Sequence, residues 1–280
     1  MKIILSRKGV DSSAGGFASP VLPDGSLLPI AIPDNRSPIR YRDVNAPVGL
    51  GKLVKHLSKN QISGWDRVHL DPDINADSLD REEAFQPAFG QCGAAQSHLA
   101  SHNVSAGDLF LFFGWYREVE LYQRRWRYVP RAPDKHVIFG WMQISQVIPV
   151  ELVFSDDRYR SLRSHPHCYG KYSGDNVIYV GNRHLTFNRN YPGAGCFNSL
   201  NSSLTLTADN CSRSVWCVPD WMHPDGRRSI LSYHHDLSRW AIKKNRTILK
   251  SAARGQEFVL DAEDYPEAIP WVESLMATLH

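Results

Sequence analysis

The sequence lacks any apolar run long enough to cross a membrane, and its first residues, MKIILS, contain no signal-peptide core. It also has little excess charge, because 32 lysines and arginines face 29 aspartates and glutamates, which leaves a net charge of +3. Affinity for nucleic acid would therefore have to come from local basic patches rather than from bulk charge. We expect a cytoplasmic protein that does not contact a membrane.

Cysteine is scarce, and its spacing excludes the common cysteine-based sites. The five cysteines are odd in number and contain no CxxC pair, so neither a disulfide framework nor a zinc ribbon is predicted. We expect reduced thiols, with no disulfide and no structural zinc. No cofactor fingerprint is present either, so the sequence assigns no cofactor and no metal ligands. The cysteines are Cys92, Cys168, Cys196, Cys211 and Cys217.

The chain of 280 residues is long enough to bury a large core, and its 22% of charged residues is typical of a folded protein rather than a disordered one. No repeat or convincing linker divides it. We therefore predict one compact domain over residues 1–280, with a possible boundary between residues 1–150 and 151–280. Short patterns predict strands at 2–5, 176–180, 204–207 and 215–218, and helices at 49–62, 232–241 and 267–279.

What the sequence does contain is two strongly apolar segments in its first half, GDLFLFFGWYR at 107–117 and HVIFGWMQI at 136–144. Both are rich in aromatic and β-branched residues, which is typical of buried strands. The polar and basic stretch 118–135 between them is too short for a parallel crossover helix. An antiparallel pair joined by a long basic loop is therefore predicted.

Glycines within these two segments predict where the sheet bends. Gly114 and Gly140 interrupt the apolar runs, and an isolated glycine in a strand often marks a bulge or a sharp bend. We expect residues 108–113 and 137–144 to be neighbouring strands of one strongly curved sheet.

Tryptophans and arginines are concentrated around the same two segments. This mixture suits a surface that stacks bases and neutralises phosphates, although aromatic residues in a sheet are also common in cores. We predict that the arginines at 124–131 and the sheet around Trp115 contact nucleic acid. The residues concerned are Trp115, Arg117, Arg124, Arg125, Trp126, Arg127, Arg131 and Trp141.

The loop after the first predicted strand, SRKGVDSSAGG, has the composition of an anion-binding turn. Backbone N–H groups together with Arg7, Lys8 and Ser12 could hold a phosphate, and Asp11 is a candidate acid or base. The spacing matches neither a Walker loop nor a dinucleotide fingerprint.

A second polar segment, FGQCGAAQSHL at 89–99, combines small residues with hydrogen-bonding side chains. Gln91, Gln96 and His98 could bind a base edge or a ribose. The alternative is a helix start packed tightly beneath the sheet.

Histidine and aspartate occur together at two further places. In HLDPD an extended chain would place His69, Asp71 and Asp73 on one side, which suits a hard metal or acid–base chemistry, although Asp-Pro-Asp is also common in turns. His165 and His167 could share a face, and His234 stands near Asp236. Surface or hydrogen-bonded histidines remain the alternative. The candidate catalytic residues are Asp11, His69, Asp71, His98, His165 and His167.

Taken together, SRKGVDSSAGG, LPDGSLLPIAIPD, SPIRYRD, HLDPD, FGQCGAAQSHL, the two apolar strands, HPH and GQEFVL resemble the nucleotide modification associated domain family, the third of that name. The resemblance runs from Met1 to about residue 275. It implies an association with bacterial or phage systems that modify nucleic-acid bases, and it brings no catalytic residues with it. The two strands alone are similar to the PUA-like superfamily, including the EVE and ASCH groups, whose small β-barrels hold nucleobases.

The expected fold is α+β, with a curved mixed or antiparallel sheet that forms a PUA-like (EVE/ASCH-like) β-barrel surrounded by helices and long loops. The leading functional expectation is a protein that binds a modified or flipped nucleotide of nucleic acid, with DNA preferred, within a base-modification system and its partner proteins. An enzyme acting on nucleotides or nucleic acid, and a scaffold protein of such a system, remain the alternatives.

Overall fold

The computed structural model describes residues 1–81, 84–243 and 246–279. Helices are short and few beside the strands. The helices are α1 (Leu50–Leu57), α2 (Gly93–Ser101), α3 (Val150–Ser155) and α4 (Ala268–Met276). The strands are β1 (Lys2–Arg7), β2 (Ser19–Val21), β3 (Ile32–Pro33), β4 (Val68–His69), β5 (Ala88–Cys92), β6 (Leu109–Tyr122), β7 (Arg125–Tyr128), β8 (Lys135–Pro149), β9 (Asn176–Gly181), β10 (Ala194–Cys196), β11 (Val215–Val218), β12 (Trp240–Lys243), β13 (Arg246–Lys250) and β14 (Glu257–Asp261).

A nine-stranded mixed sheet forms the body of the protein, with the main order β14-β1-β6-β8-β9-β5. Its long central strands β6 and β8 pair antiparallel, as the apolar segments predict. Strand β1 lies parallel to β6 and antiparallel to β14, so both ends of the chain share one sheet. The α+β class is therefore confirmed.

The sheet bends at the predicted glycines. The register of β6 and β8 shifts between Phe112 and Phe113, and Gly140 stands opposite Phe112 at that bulge. Gly114 packs against the carbonyl of Lys8, which a Cβ atom would approach to 2.9 Å. A bulge increases the local twist and bends the strand at this point.

The sheet does not close, so the predicted PUA-like barrel is not confirmed. Among the residues that the structure describes, β14 and β5 are its two edges, and no backbone ladder joins them. Side chains connect the edges instead. Nε2 of Gln91 on β5 donates to Oε1 of Glu257 on β14 at 2.7 Å, and Nζ of Lys8 reaches the same oxygen at 2.7 Å.

The predicted long basic loop between the two main strands is wrong, because most of it is a β-hairpin. Strand β6 continues to Tyr122 and pairs with β7 across a two-residue turn. The turn residues Gln123 and Arg124 have φ values of +47° and +64°, as a tight hairpin turn requires. On β7, Arg125 and Arg127 are exposed, whereas Trp126 packs against the core beneath α1.

The other sequence predictions have mixed outcomes. Strands at 2–5, 176–180 and 215–218 and helices within 49–62 and 267–279 are found. The strand at 204–207 is wrong, since Thr205 and Thr207 make only isolated bridges. The helix at 232–241 is also wrong, because Tyr233 has a φ of +66° and Trp240 begins β12.

All five cysteines are free thiols. None of the described helices has the length and apolar character needed to cross a lipid bilayer.

Candidate functional site

A cleft with two chambers opens beside the end of β1. Its chambers have volumes of about 690 Å³ and 380 Å³. They meet at Arg7, Lys8, Asp11 and Ser13, which line both. We call the larger one the arginine chamber, lined among others by Arg7, Ser12, Trp115, Asp134, His136 and Arg213. The smaller is the histidine chamber, lined among others by Arg36, His69, Asp71, Gln91, His167 and Tyr172.

Arg7 stands at the wall between the chambers. Its two Nη atoms donate to the carbonyls of Ala252, at 3.0 Å, and Ala253, at 3.4 Å. Its Nε is buried and has no hydrogen-bond partner in the described part of the chain. Burial lowers the pKa of Arg7, an effect that Asp11 opposes and Arg213 reinforces. The guanidinium is thus fixed in place while part of its hydrogen-bonding capacity is unused.

Arg213 faces Arg7 across the arginine chamber. Its guanidinium carbon lies 4.0 Å from the centre of the Trp115 ring, and one Nη donates to the hydroxyl of Ser12. The indole N–H of Trp115 donates to Oδ1 of Asp134 at 2.9 Å. One face of Trp115 therefore supports a cation, a geometry that favours a fixed position for the charge.

His136 completes this chamber as a neutral hydrogen-bond donor. The indole N–H of Trp216 donates to its Nδ1 at 3.0 Å, so the proton of the neutral ring is on Nε2. Burial lowers the pKa of His136 to about 3, and the positive charges of Arg7 and Arg213 act in the same direction. At neutral pH the ring offers a single N–H to the chamber.

Several backbone amides of the loop after β1 bond back to Asp11. Oδ1 of Asp11 accepts hydrogen bonds from the N–H groups of Ser13, at 2.7 Å, and Ala14, at 2.8 Å, while the carbonyl of Asp11 accepts from Gly16 N–H at 2.8 Å. These donors are used within the loop. Asp11 thus closes the turn itself.

Asp71 is the centre of the histidine chamber. Its Oδ1 accepts from Gly90 N–H at 2.9 Å and lies 3.3 Å from Nε2 of His165. Its Oδ2 lies 3.6 Å from Nε2 of His69 and 3.7 Å from Nε2 of His167. Although burial favours the neutral acid, the neighbouring imidazoles of His165 and His69 hold the pKa of Asp71 far below its usual range.

The outer nitrogens of two of these rings are fixed by neighbours. Nδ1 of His69 donates to Oδ2 of Asp34 at 2.8 Å, and Nδ1 of His167 donates to Oδ1 of Asn176 at 2.6 Å. Burial lowers the pKa of His167 to about 4, despite the opposing charge of Asp71. Burial also acts against protonation of His69, but hydrogen bonds with Asp71 and Asp34 raise its pKa overall.

The ring of His167 lies directly against the backbone of β5 at Gly90. A Cβ atom at position 90 would overlap this ring. We expect Gly90→Ala to displace His167 and to lower the free energy of unfolding by about 1–3 kcal/mol. Urea denaturation measures this change. Gly49→Ala is the control, because a Cβ there meets open space and φ is −59°. Equal effects of both substitutions would contradict the close contact.

A sequence model of nucleotide modification associated domain 3 matches residues 2–261, from β1 to the end of β14. The chain belongs to this family. The match contains both chambers, and family membership links the chain to nucleotide modification systems. No curated protein and no solved structure matches it.

In this member of the family, the fold brings most of the predicted site residues to the cleft. Predictions from five separate segments converge there, and His165 lies directly behind Asp71. The converging residues are Arg7, Lys8, Asp11, Ser12, His69, Asp71, Gln91, Trp115 and His167.

Five predicted residues of the domain lie outside the two chambers. Trp141 is only 2% exposed within the core, and Gln96 accepts a buried hydrogen bond from the Tyr179 hydroxyl. Nε2 of His98 forms a hydrogen bond with the hydroxyl of Ser232 at 3.0 Å. The remaining two, Arg117 and Trp126, belong to the hairpin and its base: the Arg117 guanidinium lies 5.2 Å from the Tyr128 ring centre, and Trp126 packs below α1.

The alternative set of His69, Asp71 and Asp73 does not form. Asp73 turns away and binds both terminal nitrogens of Arg81 at 2.8 Å. His167 takes the third place beside Asp71 instead.

Sequence patterns missed several residues of the cleft in this domain. His136 was assigned only to a strand, and Arg213 lies in a short polar loop that carries no motif. Asp34 and Asn176 act through histidines that are distant in sequence, at separations of 35 and 9 residues. For Asp34, Arg213 and Asn176 no local signal exists, whereas a histidine inside an apolar strand was a detectable sign for His136.

Proposed function

We propose that this domain binds a nucleotide in the cleft, either free or as a flipped unit of nucleic acid, within a base-modification system. The phosphate would lie in the arginine chamber and the base would extend towards the histidine chamber. The observation that carries this proposal is the convergence of Arg7, Arg213 and the N–H of neutral His136 on one chamber.

Charge supports a phosphate in that position. Guanidinium groups bind phosphate oxygens with paired, charge-assisted hydrogen bonds. The two carboxylates of the arginine chamber are already engaged, Asp11 by its own loop and Asp134 by the indole N–H of Trp115. An incoming dianion would relieve the repulsion between Arg7 and Arg213.

The dimensions and lining of the cleft support a base next to the phosphate. Chambers of about 690 Å³ and 380 Å³ fall within the usual range for small-molecule sites. Gln91 and Lys8 stand where the second chamber begins, and both can bond to polar atoms of a base edge. Stacking of a base on Trp115 would use the ring face that Arg213 leaves free.

The hairpin offers a continuation for a polynucleotide, and DNA is the partner we favour. Its arginines, Arg124, Arg125, Arg127 and Arg131, precede Pro133 and Asp134, which line the arginine chamber. A strand with one nucleotide in the cleft could extend along these cations. Unstacking one nucleotide costs a few kcal/mol, which contacts in the cleft would offset.

Replacing Arg213 with glutamine tests the proposal. We expect the affinity for single-stranded DNA to fall, and the log–log dependence of the binding constant on salt to become shallower by about 0.7 per lost phosphate contact. Fluorescence anisotropy over a salt series measures both quantities. Arg158→Gln is the matched control, because Arg158 is exposed, is paired with Asp156 and lies outside both chambers.

Two results would contradict the proposal. One is an equal loss of binding in the two variants. The other is a folded wild-type protein that binds neither nucleic acid nor a free nucleotide at low salt, and the scaffold function would then be the better account.

The histidine chamber favours a second candidate function, an enzyme that acts on the bound nucleotide. A buried carboxylate surrounded by three imidazoles is a typical arrangement for acid–base or metal-assisted chemistry. Mass spectrometry of nucleosides after incubation with the protein separates an enzyme, which changes the base or releases a product, from a binding protein.

A further inference from the structure

We infer that His69, Asp71 and His167 bind one divalent transition-metal ion at the floor of the histidine chamber. The ligand atoms would be Nε2 of each histidine and Oδ2 of Asp71. Oδ2 lies 3.6 Å and 3.7 Å from the two nitrogens, and the three ligand atoms all lie within 4.8 Å of one another. The sequence alone assigned no metal, because it does not bring residue 167 beside residue 71.

These distances are close to what an ion requires. Bonds of about 2.0–2.1 Å in tetrahedral geometry place ligand atoms roughly 3.3–3.4 Å apart. The distances from Oδ2 to the two nitrogens exceed this spacing by only a few tenths of an ångström. The two nitrogens lie no more than 4.8 Å apart, and rotation of the side chains would have to close this gap as well to bring the three atoms around one centre.

The neighbours of the three residues orient them as outer partners orient metal ligands. Histidine ligands usually donate their second ring N–H to a carboxylate or carbonyl, which aims the other nitrogen at the ion. Asp34 does this for His69, and Asn176 does it for His167.

The neighbours of Asp71 contact only one of its two carboxylate oxygens closely. Gly90 N–H bonds to Oδ1, and the buried Nε2 of His165, which makes no hydrogen bond among the described residues, lies 3.3 Å from it. Oδ2 thus remains for an ion.

The surrounding charges leave the site negative. Asp71 and Asp34 supply two carboxylates within and behind the ligand set. Two cations that line the chamber are already paired, since Arg36 binds Asp34 at 2.8 Å and Lys8 binds Glu257 at 2.7 Å. A divalent cation would offset the remaining negative charge of Asp71.

The ligand types and the cavity indicate which class of ion. Two imidazoles with one carboxylate suit zinc or ferrous iron, whereas magnesium and calcium prefer oxygen ligands alone. Three protein ligands leave at least one coordination position vacant, on the side of the 380 Å³ chamber. Metal ions with a vacant position take part in reactions, in contrast to fully enclosed structural ions.

Metal binding by the wild-type protein is the first test. After dialysis against a chelator, titration with Zn²⁺ alone should show one tight site per chain in calorimetry. Titration with Co²⁺ should give visible d–d absorption typical of four or five nitrogen and oxygen ligands. A strong thiolate-to-cobalt band would overturn the assignment, since it would place the ion at Cys92, which also lines this chamber. Absence of stoichiometric uptake by folded protein would overturn it as well.

Variants then identify the ligands. His167→Gln should abolish the site, and Asp34→Asn, which touches no ion, should weaken Zn²⁺ binding by about 10–100-fold through His69. His184→Gln is the control, because His184 is exposed and outside the ligand set. If His167→Gln does not fold, the Asp34→Asn measurement decides, and unchanged affinity there would contradict the assignment. These readouts need no nucleotide, so the proposed function can fail while the metal site stands, and the reverse also holds.

Discussion

Acidification below pH 6.5 is expected to destabilise the protein steeply, because several buried histidines are neutral in the folded state. Burial lowers the pKa of His136 to about 3 and that of His234 to about 4. In the unfolded chain both would titrate near 6.5. Their contribution to stability is therefore complete above pH 6.5 and is lost as the pH falls towards 4. Each adds about 1.4 kcal/mol per pH unit in that window.

Together these two rings and His167, whose pKa burial also lowers to about 4, give a slope of about 4 kcal/mol per pH unit, or on the order of 6 kcal/mol between pH 6.5 and pH 5. That is a large part of the 5–15 kcal/mol typical of domains. His69, whose pKa is raised, acts oppositely, but its contribution is lost as the pH rises above 6.5 and does not mask this window.

Urea denaturation at pH 7.5, 6.5 and 5.5 measures the slope. His234→Gln should lower it by about a third, whereas His184→Gln, which changes an exposed ring, should leave it unaltered. His234 is suited to this comparison because its Nε2 accepts from Ala252 N–H at 3.0 Å while Nδ1 donates to the carbonyl of Ser232, so the folded state holds the neutral ring. A free energy of unfolding that stays constant from pH 7.5 to 5.5 would refute the expectation.

Trp141→Ala should lower the free energy of unfolding by about 3–5 kcal/mol, the usual cost of removing a buried tryptophan. Trp141 is 2% exposed, packs against Phe197 with ring centres 4.9 Å apart and donates to the carbonyl of Pro192 at 3.0 Å. Truncation would leave a cavity and an unpaired carbonyl at the middle of the sheet. Chemical denaturation measures the loss.

Trp65→Ala provides the comparison, because Trp65 is 64% exposed and should contribute little to stability. Comparing these two variants also distinguishes a role of Trp141 in the core from a role in nucleotide binding. If it belongs to the core, the fraction of Trp141→Ala protein that remains folded should bind nucleotide normally. Normal stability with lost binding would instead return Trp141 to the nucleotide site that the sequence suggested.

The sequence predicted those strands whose structure depends mainly on neighbouring residues. The strands β6 and β8 are long, apolar and interrupted by glycine, so both their pairing and their bend followed from sequence. The hairpin of β7 was missed because its turn uses Gln123 and Arg124 at positive φ, where glycine or asparagine is the usual signal. The helix predicted at 232–241 fails because Trp240 begins a strand that pairs with β13, the next strand along the chain.

The residues of the candidate site were likewise predictable only in part. Sequence spacing identified His69 with Asp71 and His165 with His167 as separate groups, and the fold joins them across about a hundred residues of chain. No local rule states that Asp73 binds Arg81 instead, since that choice depends on which side chains reach the same place. Residues that orient others, such as Asp34, carry no spacing signal at all.

The gap between the edge strands β5 and β14 allows the size of the cleft to vary. A backbone ladder fixes two strands along their whole length, whereas Gln91, Glu257 and Lys8 join these edges at a single point. The separation of the strands beyond that point is set by the side chains that fill the gap. Substitutions there can widen or narrow the space beside the histidines while the register of every strand is kept. The size of the cleft can thus change while the framework of strands stays the same.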